Sequence, residues 1–161
     1  MFSKILIANR GEIGVRIIKT CKRLGVKTAI VYSEADADSL AVELADEAVF
    51  IGGAPASESY LVQDKIVDAV RKTGAEAVHP GFGFLSENPA FAKRLADEKI
   101  VFIGPNPHAI EAMGDKITSK EFAAKAGVST VPGHMGLIEE TEEAVRISGE
   151  IGYPVMIKAS A

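Results

Sequence analysis

The chain has 161 residues, 47% hydrophobic and 25% charged, an ordinary globular composition that excludes a collagen-like, low-complexity or wholly disordered protein. Such a length accommodates one domain, or one and a piece of another, with roughly two-thirds of the unfolded surface buried. A formal charge of −4 lacks the basic footprint of non-specific nucleic-acid binding, and no apolar run is long enough for a signal peptide or a membrane span.

Short β-branched runs alternate with segments of helical period. KILIAN (4–9) predicts a first strand and 11–24 a first helix. In that helix Ile13, Ile17, Cys21 and Leu24 form an inward stripe at i, i+4, i+8 and i+11, and Glu12, Arg16, Lys19 and Arg23 an outward one. The charged stripe reads as a solvated face, with a subunit contact through Arg16 as the sharper alternative. Cys21 reads as packing rather than as a nucleophile; having no internal partner, it fits a reducing compartment, the cytoplasm or, after removal of a transit peptide, the mitochondrial matrix.

Strands are predicted at 27–33, 47–52, 76–80 and 99–105, with a helix over 57–73 ending at Gly74. Another helix starts at Asn88–Pro89, Asn as N-cap and Pro at the first helical position. The alternation predicts an α/β fold, a Rossmann-like parallel sheet with helices on both faces. The unalternating ILIA and IVFI runs agree, being strands covered on both sides. Residues 107–127 read as two helical pieces meeting near Met113–Gly114–Asp115, 129–136 as a linker, and 141–152 as a helix. YPVMIKASA then opens a strand-like segment at which the sequence stops, the start of a second domain.

Three places invite a chemical reading. Gly11 and Gly14 match the last two glycines of a dinucleotide fingerprint, with Glu34 near the ribose-binding position. Asn9 stands where the first glycine belongs, so a turn glycine and a helix-packing glycine are the better reading. The loop His79–Asn88 sits at a strand's carboxyl end, where open α/β folds hold ligands. Gly81 and Gly83 allow close backbone approach, and Phe82 and Phe84 cannot both bury easily in so short a loop. Lastly, Lys116 lies near a helix N-terminus, unfavourable for a cation, and Lys158 interrupts the apolar PVMIKA. One lysine can escape into water and the other can guard an edge strand, or both can hold phosphates as point charges.

Together, KILIANRGEI (4–13), HPGFGFLSEN (79–88), FIGP (102–105), MGDK (113–116) and YPVMIKAS (153–160) resemble the biotin carboxylase family in order and spacing over essentially the whole chain. DKITSK (115–120) and VSTVPGHMGLIEE (128–140) are most similar to acyl-CoA carboxylase α subunits of the propionyl-CoA type. The resemblance implies a pre-ATP-grasp domain over 1–114 and, over 115–161, a connecting helix and the start of an ATP-grasp domain. It implies use of ATP with Mg2+ (or Mn2+) and bicarbonate to make carboxyphosphate, and carboxylation of biotin on a carrier domain. The implied partners are that biotin carboxyl carrier domain and a carboxyltransferase β subunit, with no nucleic acid and no membrane. It assigns ATP binding to Lys116 and Lys158 and a wall of the biotin pocket to Phe82, Gly83 and Glu87. It places no catalytic and no metal-binding residue within these 161 positions, so this amino-terminal piece alone is expected to be inactive.

Phe82 stands where many members carry Tyr, and Gly14 where Ala is usual. Arg23 replaces an acidic residue of some homodimeric members, which counts against a homodimer through this helix. The rival readings are a nicotinamide-dinucleotide domain of an oxidoreductase, weakened by Asn9, and a phosphate receiver. The receiver needs clustered acids where this chain has Asn9 and Arg10.

Overall fold

The computed structural model describes residues 1–114, 116–129, 133–134 and 138–157, with backbone alone at 116–118 and 121. The chain divides into two compact units, Met1–Glu111 and Ala112–Ala161.

The first unit is built on five strands: β1 (Lys4–Ile7), β2 (Lys27–Tyr32), β3 (Glu47–Phe50), β4 (Ala77–His79) and β5 (Val101–Phe102). They form one sheet in the order β3-β2-β1-β4-β5. Every pairing is parallel, with Ile7 opposite Ile30 on one side and His79 on the other. Each strand is shorter than its apolar run predicts, because pairing stops where the chain turns into a loop. The sheet carries α1 (Gly11–Leu24), α2 (Leu40–Leu44), α3 (Gln63–Thr73) and α4 (Pro89–Asp97).

Successive β1 side chains enter opposite layers. Ile5 and Ile7 join Ile17, Ile18, Cys21 and Ala41 beneath α1 and α2. Leu6 and Ala8 join Ile66, Val70, Phe91 and Leu95 beneath α3 and α4. Helices therefore cover both faces, and each large side chain fully buried there contributes on the order of 1.5–3 kcal/mol.

Helix α1 has the boundaries that the sequence predicts and stops at Gly25, which takes φ 70°. Its buried face runs through Gly14, Ile17, Ile18 and Cys21. Leu24, predicted inward, is instead 56% exposed, since the helix ends there and the chain turns away into β2. Glu12, Arg16, Lys19 and Arg23 are exposed, as a solvated face requires. Burial, and secondarily the charge of Asp46, pushes the Cys21 thiol up, away from the reactive thiolate.

Two elements escape the sequence pattern. Helix α2 is too short for helical periodicity to register. The predicted helix over 57–73 begins only at Gln63, because 56–58 form a separate 3-10 turn.

In the second unit α5 (Pro107–Gly114), which crosses the boundary, α6 (Lys116–Lys125) and α7 (Thr141–Ile151) follow in sequence. Gly127, at φ 69°, lies just past α6. Residues 152–157 form no strand, contrary to expectation: no described strand of this unit lies beside them to take their backbone hydrogen bonds. Met156 and Ile157 are accordingly exposed.

Candidate functional site

In the order 3-2-1-4-5 the chain reverses direction across the sheet between β1 and β4. Their carboxyl ends therefore flank a crevice, the position where open α/β sheets bind ligands. Two segments meet there, the turn Ala8–Arg10 leaving β1 and the loop Pro80–Asn88 leaving β4. Between them lies a cleft of about 290 Å³. Arg10, Glu12 and Ile13 line it from the start of α1, Phe82, Gly83 and Phe84 from the loop, with Asn9 between.

Asn9 is 1% exposed. Its Nδ2 donates to the carbonyls of Pro80 and Phe82, both at 2.8 Å, while its Oδ1 accepts the Arg10 N–H at 2.9 Å. Gly81 passes over this carboxamide with φ 68°, and a Cβ there would stand 2.6 Å from Nδ2. Glycine is thus required twice, by conformation and by space. His79 fixes the same residue from the strand side, its Nδ1 accepting the Gly81 N–H at 3.0 Å. Burial, and then the charge of Arg16, holds the His79 imidazole below its ordinary pKa.

The two loop phenylalanines divide as the short loop demands. Phe82 is 73% exposed. Phe84, at φ 46°, stacks on Tyr60 with ring centroids 4.8 Å apart and planes 9° from parallel. The Arg10 guanidinium lies over both rings, 5.6 and 5.5 Å from their centroids, and pairs with Asp36 at 3.6 Å. Asp36 also accepts from Ser33 Oγ at 2.6 Å and the Tyr60 hydroxyl at 2.7 Å. Burial opposes ionisation of Asp36, yet those hydrogen bonds and the Arg10 charge outweigh it and hold the carboxyl below its usual range. Burial and the Asp36 carboxylate together push the Tyr60 phenol up to about 12, so it remains a neutral donor. The arrangement sets one cation and one exposed aromatic ring on a rigid frame beside the cleft.

Of the residues singled out in the sequence, Phe82 and Gly83 line this cleft, and Glu87 is an exposed residue of the same loop. Lys116 opens α6, at the helix start where the sequence places it. Lys158, the 159–161 end of the strand-like segment, and Asp115 lie outside the described residues, as does most of the 129–136 linker. Glu34 stands at the start of a 3-10 turn after β2, distant in sequence from the cleft's lining segments. Asn9, which sequence reasoning treats as a missing glycine, and Arg10 are the residues that reading overlooked. The available signal was a polar residue closing an otherwise apolar strand. Among the described residues no group of three His, Cys, Asp or Glu side chains stands together as a metal site, and no helix is long and apolar enough to cross a membrane.

Residues 1–110 match the family model for the biotin carboxylase N-terminal domain, and 115–161 that for the ATP-binding domain of the carbamoyl-phosphate synthase L chain. The propionyl-CoA carboxylase alpha chain of Ruegeria pomeroyi is 63% identical over 161 residues, all of this chain and 24% of that protein. The mitochondrial propionyl-CoA carboxylase alpha chain of Homo sapiens is 62% identical over 160 residues, 99% of this chain and 22% of that one. The chain thus spans about a quarter of the length of these curated relatives. The crystal structure of the biotin carboxylase domain dimer of Hydrogenobacter thermophilus 2-oxoglutarate carboxylase, in complex with MgADP, ADP and bicarbonate, superposes with a TM-score of 0.86 at 50% identity. It covers 99% of this chain and 35% of that one. None of these proteins supports the oxidoreductase reading, and the buried Asn9 side chain already occupies the turn where a dinucleotide fold needs glycine.

Proposed function

Because the chain belongs to the biotin carboxylase family, we propose that it contributes the amino-terminal part of a biotin carboxylase subunit, most like that of propionyl-CoA carboxylase. The subunit uses Mg-ATP and bicarbonate to form carboxyphosphate and transfers the carboxyl group to biotin on a carrier domain. A carboxyltransferase β subunit then consumes it, in the cytoplasm or the mitochondrial matrix. Residues 1–114 form the pre-ATP-grasp domain and 115–161 the connecting helix and the start of the ATP-grasp domain.

One observation carries the reading: the glycine loop at the β1–β4 switch point presents Phe82 and Gly83 to an open cleft while its own backbone is held from below. An exposed phenylalanine suits the apolar thiolane side of biotin's bent bicyclic ring, and a bare glycine backbone lets its polar ureido side approach closely, from solvent on a carrier. Glu87, exposed on the same loop, belongs to that wall. Lys116 and Lys158 bind ATP phosphates as point charges and offset charge that develops during transfer. On the resemblance alone, the metal site is assigned to no residue of this chain.

The complete subunit, given labelled bicarbonate, free biotin and Mg-ATP, should move label into biotin only when ATP is present. Label transfer without ATP, or none with it, would refute the reading.

A further inference from the structure

We propose that Asn9 is the positioning residue of the biotin-pocket wall, the clamp that fixes the Phe82–Gly83 backbone at the cleft. The inference rests on the functional reading above and extends it to a residue that acts through the backbone of the loop.

Asn9 is a buried polar side chain at the end of a central strand, 1% exposed, a placement that requires full hydrogen bonding. Its carboxamide meets that requirement with one partner for each N–H and one for the oxygen: Pro80 O, Phe82 O and Arg10 N. Two of these partners are carbonyls of the glycine loop and the third is the backbone of the opposite cleft wall. One side chain thus ties together the two segments that form the crevice. No other side chain of this length offers two donors and an acceptor in one plane. Aspartate has the size but would set a carboxylate against two carbonyl oxygens; leucine has the shape but leaves all three backbone groups unpaired.

The loop is fitted to this clamp. At Gly81 a Cβ would come within 2.6 Å of Asn9 Nδ2, 2.8 Å of Ile13 Cγ2 and 2.9 Å of Asn9 Cγ. Gly81 therefore lies directly on the carboxamide, and the Phe82 carbonyl is turned onto Nδ2 while the Phe82 ring stays exposed. Without the clamp the loop keeps the His79–Gly81 hydrogen bond at its near end and Asn88 and the Phe84–Tyr60 stack at its far end, so the part released is Phe82–Gly83, which faces the cleft.

The test uses the complete subunit. Asn9→Asp, which keeps the acceptor for the Arg10 N–H and loses both donors, should raise the KM for free biotin on the order of tenfold, within the loss that a misplacement of about 1 Å produces. The KM for ATP should stay at its wild-type value. An unchanged biotin KM overturns the proposal, and so does an equal rise in both constants, which marks a general loss of structure. If Asn9→Asp does not fold, Gly81→Ala is measured instead, since it displaces the same Nδ2; wild-type biotin kinetics there overturn the proposal. Hydrogen exchange at the Gly81 and Ser86 amides, bonded to His79 Nδ1 and the Gly83 carbonyl, reads the loop without any activity and should quicken in Asn9→Asp. Exchange that quickens in a subunit that carboxylates no biotin would refute the functional reading and leave the clamp standing; unaltered exchange refutes the clamp itself.

Discussion

His79 closes β4 with its ring folded back onto its own loop, and that geometry fixes its protonation. Nδ1 accepts the Gly81 N–H, so it carries no proton, and the ring is neutral with its hydrogen on Nε2. Burial and the nearby Arg16 charge agree, holding its pKa below 6.5. The unfolded chain takes up this proton as the pH falls through about 6.5, and the folded ring only lower. Stability linked to His79 is therefore complete above that pH and is lost as the pH falls toward the folded value. Followed by NMR against pH, the His79 ring resonances should titrate with a midpoint below about 6.5; a midpoint at or above it contradicts the Gly81 hydrogen bond. At this scale the sequence was legible in part. Two loop glycines and an exposed phenylalanine can be read from composition in a short loop. The role of Asn9 cannot, because its partners at 80 and 82 lie 71 and 73 positions away and only the β1–β4 pairing brings them near.

Helix α4 carries the far end of the loop, and its cap can be read directly from Asn88–Pro89. Pro89 needs no amide partner, and Asn88 Oδ1 accepts the Phe91 N–H at 2.9 Å. Phe91 behind it is fully buried, edge-on to Phe102, so the cap also sets a core side chain. Asn88→Ala should lower unfolding stability by about 1 kcal/mol, as N-cap truncations do. Urea unfolding of the variant would check this, and an unchanged midpoint would show that the cap is dispensable. Helix α1 was equally legible, because glycine ends it and its apolar stripe is long. Gly14 repays comparison with the family's usual alanine: a Cβ there would lie 2.8 Å from Ile30 Cδ1 and 3.2 Å from Ala41 Cβ. It is thus the helix-packing glycine of the sequence reading, letting α1 approach β2 and α2. Helix α2 and the 3-10 turns stayed hidden because three to five residues carry no period. Of the expected final strand, residues 153–157 lie outside any strand, since a strand pattern states a propensity and pairing supplies the strand, and 158–161 lie outside the described residues.

Across the whole molecule the two units divide the proposed labour. The first holds the β1–β4 cleft and its exposed Phe82; the second begins at the helices around Lys116. The sheet and its helical layers were legible because alternation of period is a property of every segment at once. The pairing of Lys116 with Lys158 in one nucleotide site rests on resemblance, for no local pattern links two lysines 42 positions apart. The division has a kinetic signature. Phe82 is exposed, so its truncation costs the fold little and removes only what it offers the cleft. The most direct measurement is therefore a matrix of KM values for ATP and for biotin in the complete subunit, for wild type, Phe82→Ala and Lys116→Gln. Phe82→Ala should raise the biotin constant alone and Lys116→Gln the ATP constant alone; a Phe82 variant with wild-type biotin kinetics, or a Lys116 variant with wild-type ATP kinetics, would contradict the account.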